Sequence, residues 1–136
     1  MTYAGDLTPH QAYELVASRP DVLLVDVRTR GEWQQIGVPD GADAAGDVAF
    51  VEWNTATGPN DRFLDDLAAA GATPERTLVF LCRSGVRSIG AAEAATAAGL
   101  GPAYNVLEGF EGEQDRFGMR TVNGWRNAGL PTSGPT

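Results

Sequence analysis

An α/β fold built on a mainly parallel sheet is the class this sequence predicts, on three observations. Residues 22–28 (Val-Leu-Leu-Val-Asp-Val-Arg), apolar up to their polar end, and 78–81 (Leu-Val-Phe-Leu), a short apolar run, have the composition of strands covered on both faces. Segments carrying helix start and stop signals lie between such runs, and that alternation generates parallel strands joined by crossover helices. The chain has 136 residues, 43% hydrophobic and 21% charged, with no internal repeat or linker. Residues 1–136 are therefore expected to form one domain, with a core at about 7–131 and a frayed tail at 132–136.

In chain order, Thr8-Pro9-His10-Gln11 is a helix start: Thr8 caps, Pro9 takes the first helical position and Gln11 completes a capping box. Ala12, Leu15 and Val16 form its apolar face, and His10, the only histidine, falls in an exposed first turn unsuited to catalysis. Residues 22–28 read as a buried strand with its polar residues at one end. Asp26 and Arg28 are two apart and point the same way. A structural ion pair is the expectation for Asp26, with Arg28 a weaker candidate for supporting a site. Residues 48–53 predict a short strand, in competition with 42–45, and 54–60 a surface loop. Asn60 is expected to cap a helix over 61–70, with Phe63, Leu64 and Leu67 facing the core and Gly71 closing it. The Asp65-Asp66 pair reads as a solvated helix face, because no partner ligands accompany it. After the strand at 78–81, small residues predict a smooth helix over 89–98, stopped by Gly99. Residues 104–107 predict the last strand, 108–112 a turn, and 123–131 a short C-terminal helix ended by Gly129 and Pro131.

Between the strand at 78–81 and the following helix stands Cys82, the only cysteine. A strand-loop-helix crossing turns backbone N–H groups and the positive end of a helix dipole toward the loop's concave side. A thiol placed there is expected to ionise readily, with Arg83 and Arg87 adding positive charge. A cysteine ending an apolar strand is commonly a small core residue. Here charged residues, serines and glycine follow at once, which places the side chain where the core ends and favours a nucleophile. One cysteine and one histidine exclude an intrachain disulfide, a Cys-x-x-Cys pair and a two-His or multi-Cys metal site.

Cys82-Arg83-Ser84-Gly85-Val86-Arg87-Ser88 resembles the active-site loop of the rhodanese family of sulfurtransferases. Asp26-Val27-Arg28 followed by Glu32-Trp33 resembles a second landmark of that family. Ile36-Gly37-Val38-Pro39-Asp40-Gly41-Ala42 keeps the turn residues of a third, without its histidine. Asn105-Val106-Leu107-Glu108-Gly109-Phe110 is similar to a fourth, with Glu108 in place of a glycine. The resemblance extends over about residues 7–131. It implies an open, mainly parallel five-stranded sheet with helices on both faces and the loop at the strands' C-terminal edge. It further implies that Cys82 is catalytic and carries a sulfane sulfur as a persulfide. Arg83, Ser84, Gly85, Val86 and Arg87 would surround the transferred sulfur, with Ser88, Arg28 and Asp26 as weaker supporting residues. No metal or organic cofactor is implied. The lack of a second cysteine means that an external acceptor must unload the persulfide.

Loop length separates this chemistry from that of cysteine phosphatases, whose loop is Cys-x5-Arg. In this chain Ser88 occupies that spacing and Arg87 comes one residue earlier, so the smaller loop suits one sulfur atom better than a phosphoryl group. Expected partners are a small-molecule sulfur donor and a cyanide, small-thiol or protein-thiol acceptor. Ten basic residues, all arginine, against eighteen acidic give a net charge of −8, which argues against a nucleic-acid surface. With no apolar run of membrane-spanning length and no export signal at residues 1–6, no membrane association and a cytoplasmic setting are expected. A non-catalytic binding or regulatory module and a cysteine oxidation sensor are the alternatives.

Overall fold

Residues 2–134 are described by the computed structural model. They run β1 (Gly5–Leu7), α1 (Pro9–Ser18), β2 (Val22–Asp26), α2 (Arg30–Ile36), β3 (Val38–Pro39), β4 (Asp47–Phe50) and β5 (Asn54–Thr55). Then follow β6 (Gly58–Pro59), α3 (Phe63–Ala69), β7 (Thr77–Leu81), α4 (Arg87–Ala97), β8 (Ala103–Val106) and β9 (Thr132–Ser133). Five strands form one sheet in the order β1-β8-β7-β2-β4, and every neighbouring pair is parallel. The two apolar runs lie side by side within it, with Val22 opposite Thr77 and Asp26 opposite Leu81, and all their residues are buried.

The two-residue period of a strand divides these side chains between two cores. Val22, Leu24, Val79 and Leu81 pack with Ala12 and Val16 of α1, and with Phe110 and Trp125. Leu23, Val25, Leu78 and Phe80 pack on the other face with Phe63 and Leu67 of α3 and with Ala91, Ala92 and Ala95 of α4. The small residues of α4 allow a close approach: a Cβ on Gly90 would stand 3.1 Å from the Trp53 ring. Ile36 of α2 joins the α1 side. The helix after β2 thus covers one face and the helix after β7 the other, so the loops leaving these neighbouring strands diverge. Such a reversal point, at the C-terminal ends of the strands, is where open α/β sheets present a crevice for ligands.

Several expectations are corrected. β1 was not anticipated: Gly5, Asp6 and Leu7 add an edge strand opposite Tyr104, Asn105 and Val106, a segment too short to show a period of its own. α2 was not anticipated either, although a reciprocal capping box made by Thr29 and Glu32 starts it. The strand expected at 48–53 covers Asp47–Phe50. The helix expected at 61–70 begins at Phe63, because the Asn60 side chain accepts the Arg62 N–H and closes a turn first; Leu64 is exposed rather than in the core. No α-helix forms at 123–131: the N–H groups of Trp125 and Arg126 donate instead to the carbonyls of Gly109 and Phe110. Thr132 and Ser133, expected to fray, pair with Pro39 and Val38, while Pro135 and Thr136 lie outside the described residues. α4 begins two residues earlier than the expected 89–98, which brings Arg87 and Ser88 into its first turn.

Candidate active site

Cys82 leaves the end of β7 and residues 83–86 bend into α4. Its sulfur accepts the Gly85 N–H at 3.1 Å and lies 3.1 Å from the Ser88 hydroxyl. Gly85 has φ +96°, and a Cβ on it would meet the Glu108 nitrogen at 3.1 Å and the Val106 carbonyl oxygen at 3.2 Å, so the bend calls for glycine. The loop backbone is pinned from the opposite side. The Cys82 carbonyl accepts the Phe110 N–H at 2.7 Å, and the Arg83 carbonyl accepts those of Glu111 and Gly112 at 2.9 and 3.2 Å. Gly109 lies against this segment so closely that a Cβ would fall 2.4 Å from the Cys82 carbonyl oxygen. Next to it, Glu108 adopts a left-handed φ of 69° at the position where the resemblance called for glycine, and its carboxylate accepts the Gly124 N–H at 2.9 Å.

Cys82 was expected where the core ends; it is 1% exposed and touches the apolar cluster of the α3/α4 face. Ser88, in the first turn of α4, sets its hydroxyl against the sulfur. Ser88 is itself buried and stands 2.5 Å from Asn105 Oδ1. The Asn105 Nδ2 donates to Asp6 Oδ1 at 3.1 Å and, at 3.4 Å, to the Gly85 carbonyl. Asp6 also accepts the Tyr3 hydroxyl at 2.9 Å, and this bond raises the Tyr3 phenol above its ordinary value.

The charges around the loop are arranged unevenly. Arg87 donates from both terminal nitrogens to Glu32, at 2.8 and 3.0 Å. Burial pushes the Glu32 carboxyl up, but the bonds from Arg87 and Thr29 outweigh it and hold the group at about 2. Arg83 is exposed and makes no side-chain hydrogen bond or ion pair among the described residues. Glu32, Gln35, Ile36, Arg83, Arg87 and Glu111 line a depression of about 390 Å³ beside the loop. On the other edge of α2 a groove of about 410 Å³, lined by Arg30, Trp33, Phe50 and Glu52 among others, includes no loop residue.

Beneath the loop, Arg28 is fully buried with Asp26, its Nε and Nη2 bonded to the carboxylate at 3.0 and 2.7 Å. Nη2 also donates to the Gly37 carbonyl at 2.7 Å, and the guanidinium carbon stands 4.1 Å from the centroid of the Phe110 ring. Nη1 has no hydrogen-bond partner among the described residues, and a cation over the ring face offsets part of that deficit.

Residues 8–115 match the family described as the Rhodanese-like domain. The chain belongs to that family. It is 52% identical to Rv0390 of M. tuberculosis, whose crystal structure covers 96% of this chain and 98% of that one with a TM-score of 0.89. An uncharacterized protein of Rickettsia conorii, RC0915, is 38% identical over 122 residues, 89% of this chain and 90% of that protein. The 30 kDa polysulfide-sulfur transferase homodimer of Wolinella succinogenes shares the fold at 24% identity, with a TM-score of 0.65 over 97% of this chain and 79% of that one.

Within this rhodanese-like chain, Cys82, Gly85 and Ser88 meet at one point, and Arg83, Ser84, Val86 and Arg87 complete the loop. Val86 is 72% exposed at its rim. Asp26 and Arg28 are fully buried, and Arg28 reaches the loop through Phe110, whose N–H bonds the Cys82 carbonyl. Sequence reasoning missed Glu32 as the partner of Arg87, Gly109 as the backstop of the loop, and Asn105 behind Ser88. Thr29-x-x-Glu32 carried a readable capping-box signal for the first; nothing local marks the other two, whose partners are distant in sequence. Among the described residues no group of three or more His, Cys, Asp or Glu is placed to hold a metal ion, and no helix is long and apolar enough to cross a membrane.

Proposed function

We propose that this rhodanese-like domain, taken as one folding unit over residues 1–136, is a sulfurtransferase that carries a sulfane sulfur on Cys82. The observation that supports this best is the convergence of a backbone N–H and a hydroxyl, each at 3.1 Å, on the single sulfur of a six-residue loop. Cys82 as a sulfur anion attacks the outer sulfur of thiosulfate or of an organic persulfide. A bond forms from Sγ to that sulfur while the donor's S–S bond breaks, and its electron pair leaves on sulfite or on a thiolate. A thiolate or cyanide acceptor then attacks the outer sulfur and returns Cys82 to its anion, the double displacement of covalent catalysis. The low exposure of Cys82 favours a protruding single atom over a bulky electrophile. Arg87, engaged by Glu32, is not available to chelate a phosphoryl group, which argues against phosphatase and arsenate-reductase readings. The fold is also that of a polysulfide-sulfur transferase. Arg83, unpaired at the depression, attracts an anionic donor, and Ser84, Gly85 and Val86 border the transferred sulfur. The proposal includes a cytoplasmic setting and an acceptor that is a small thiol or a protein thiol.

Mass spectrometry after incubation with thiosulfate, and separately with an organic persulfide, should find one added sulfur that disappears in Cys82→Ser. An unloaded wild type with every donor would reject the proposal. The same burial of Cys82 favours a second reading, a binding or regulatory module that keeps the loop as a scaffold. That reading expects a Cys82 unreactive toward iodoacetamide as well as toward sulfur donors.

A further inference from the structure

We propose that Asn105, held in one orientation by Asp6, is a positioning residue that restrains Cys82 by competing for the hydroxyl hydrogen of Ser88. The reasoning starts from a count of hydrogens. The Asn105 Nδ2 faces two acceptors, the Asp6 carboxylate and the Gly85 carbonyl, so its Oδ1 must be the atom turned to Ser88. Oδ1 carries no hydrogen, and the contact therefore uses the one hydrogen that Ser88 owns. Cys82 sulfur and Asn105 Oδ1 both lie within reach of that hydrogen, and the Asn105 contact is the shorter. While Cys82 keeps its own hydrogen both contacts are made, with S–H donating to Ser88 Oγ and the Ser88 O–H donating to Asn105. A bare sulfur has nothing to donate. The Ser88 hydrogen can serve it only by turning away from Asn105, which leaves two oxygen atoms facing each other with no hydrogen between them. Ser88 and Asn105 are both fully buried, so water does not relieve that contact. Asp6, on the exposed side of the edge strand β1, prevents the amide from turning over to present Nδ2 instead.

This rests on Cys82 being the nucleophile, and its test reads alkylation, which reports the reactivity of that sulfur whether or not sulfur is transferred. The rate of iodoacetamide modification is measured at fixed pH for wild type, Asp6→Ala, Asp6→Asn and Asn105→Ala, each with Ser88 present and in a Ser88→Ala background. Freeing the Ser88 hydrogen for sulfur should raise the rate about threefold to tenfold in Asp6→Ala and Asn105→Ala, the worth of one net hydrogen bond. Asp6→Asn keeps an acceptor for Nδ2 and should restore the wild-type rate. In the Ser88→Ala background neither alanine substitution should change the rate, because the effect passes through that hydroxyl. Asp6 is at the surface, so Asp6→Ala remains informative should the buried Asn105→Ala fail to fold. Rates lowered or unchanged with Ser88 present, or raised equally without it, would overturn the inference; a purely structural role for Asn105 predicts the former. Loss of sulfur transfer with the alkylation pattern intact would reject the sulfurtransferase proposal and leave this one standing.

Discussion

Arg87 holds Glu32 with both of its terminal nitrogens, at 2.8 and 3.0 Å, across 55 positions of sequence. The pair ties the first turn of α4, which begins where the Cys82 loop ends, to the first turn of α2 on the opposite side of the sheet edge. Two loops that diverge from neighbouring strands are thereby clamped together.

The clamp makes stability depend on acid in a defined direction. The Glu32 carboxyl is held at about 2 in the folded chain, below its unfolded value. Its contribution is therefore complete above the unfolded value and is lost as pH falls through the folded one, from about pH 5 toward pH 2. Glu32→Gln should lower stability near neutrality by about 1–2 kcal/mol, the partial exposure of the pair reducing the ideal figure. Urea unfolding across this pH range should give converging midpoints for the two proteins as pH falls. A constant gap would deny the pair this role.

Gly109 is the backstop of the loop. Gly109→Ala puts a Cβ 2.4 Å from the Cys82 carbonyl oxygen at a residue with φ +64°, and should cost about 2–4 kcal/mol while slowing Cys82 alkylation at least about tenfold. Gly118 is the comparison, with φ +81° and nothing within 4 Å of its would-be Cβ. Gly118→Ala should lose only about 1 kcal/mol and leave the alkylation rate alone. Equal effects at the two positions would mean that backbone strain, not the clash, is responsible.

The buried pair under the loop should respond asymmetrically to substitution. Arg28→Met leaves the buried Asp26 carboxyl without its side-chain partner, and should cost about 3–5 kcal/mol. Arg28→Lys should fall between, since an ammonium cannot reproduce the forked contact to Asp26 and Gly37. Asp26→Leu combined with Arg28→Met should recover much of the loss. Denaturant titration of the single and double variants checks this, and a double variant as unstable as the sum of both singles would contradict it.

Arg83 should act on the donor and not on the fold. Arg83→Ala is expected to change stability by less than about 0.5 kcal/mol, the usual result at an exposed unpaired side chain. It should raise KM about twofold to fivefold for thiosulfate and less for an uncharged persulfide, with the difference shrinking in high salt. A change in kcat with KM constant would place Arg83 at the reacting atoms instead.

Much of the sheet was legible because its strands are short and buried on both faces. Residues 22–25 and 78–81 are apolar whatever lies around them, and in the fold they adjoin in register. The helix expected at 123–131 does not form, for the opposite reason. Its glycines, tryptophan and terminal proline suit a helix locally, but the N–H groups of Trp125 and Arg126 find acceptors on Gly109 and Phe110. β1 is three residues long and takes its identity from pairing with β8, so no local pattern marks it. Spacing places Leu64 with the core residues, but the buried face of α3 runs through Phe63 and Leu67, and Leu64 lies outside it.

The sequence by itself determined an alternating α/β chain, a lone thiol between a buried strand and a helix, and a loop one residue shorter than a phosphate-binding one. These follow from local composition and spacing, which act within a few residues. Only the tertiary structure decided that Ser88 and Gly85 converge on the sulfur, that Glu32 engages Arg87, and that Asn105 and Asp6 stand behind Ser88. The Glu32–Arg87, Ser88–Asn105 and Asn105–Asp6 contacts join different elements, and the convergence on the sulfur depends on how the loop bends into α4; hydrogen-bond geometry at about 3 Å is set by that packing rather than by the order of residues along the chain.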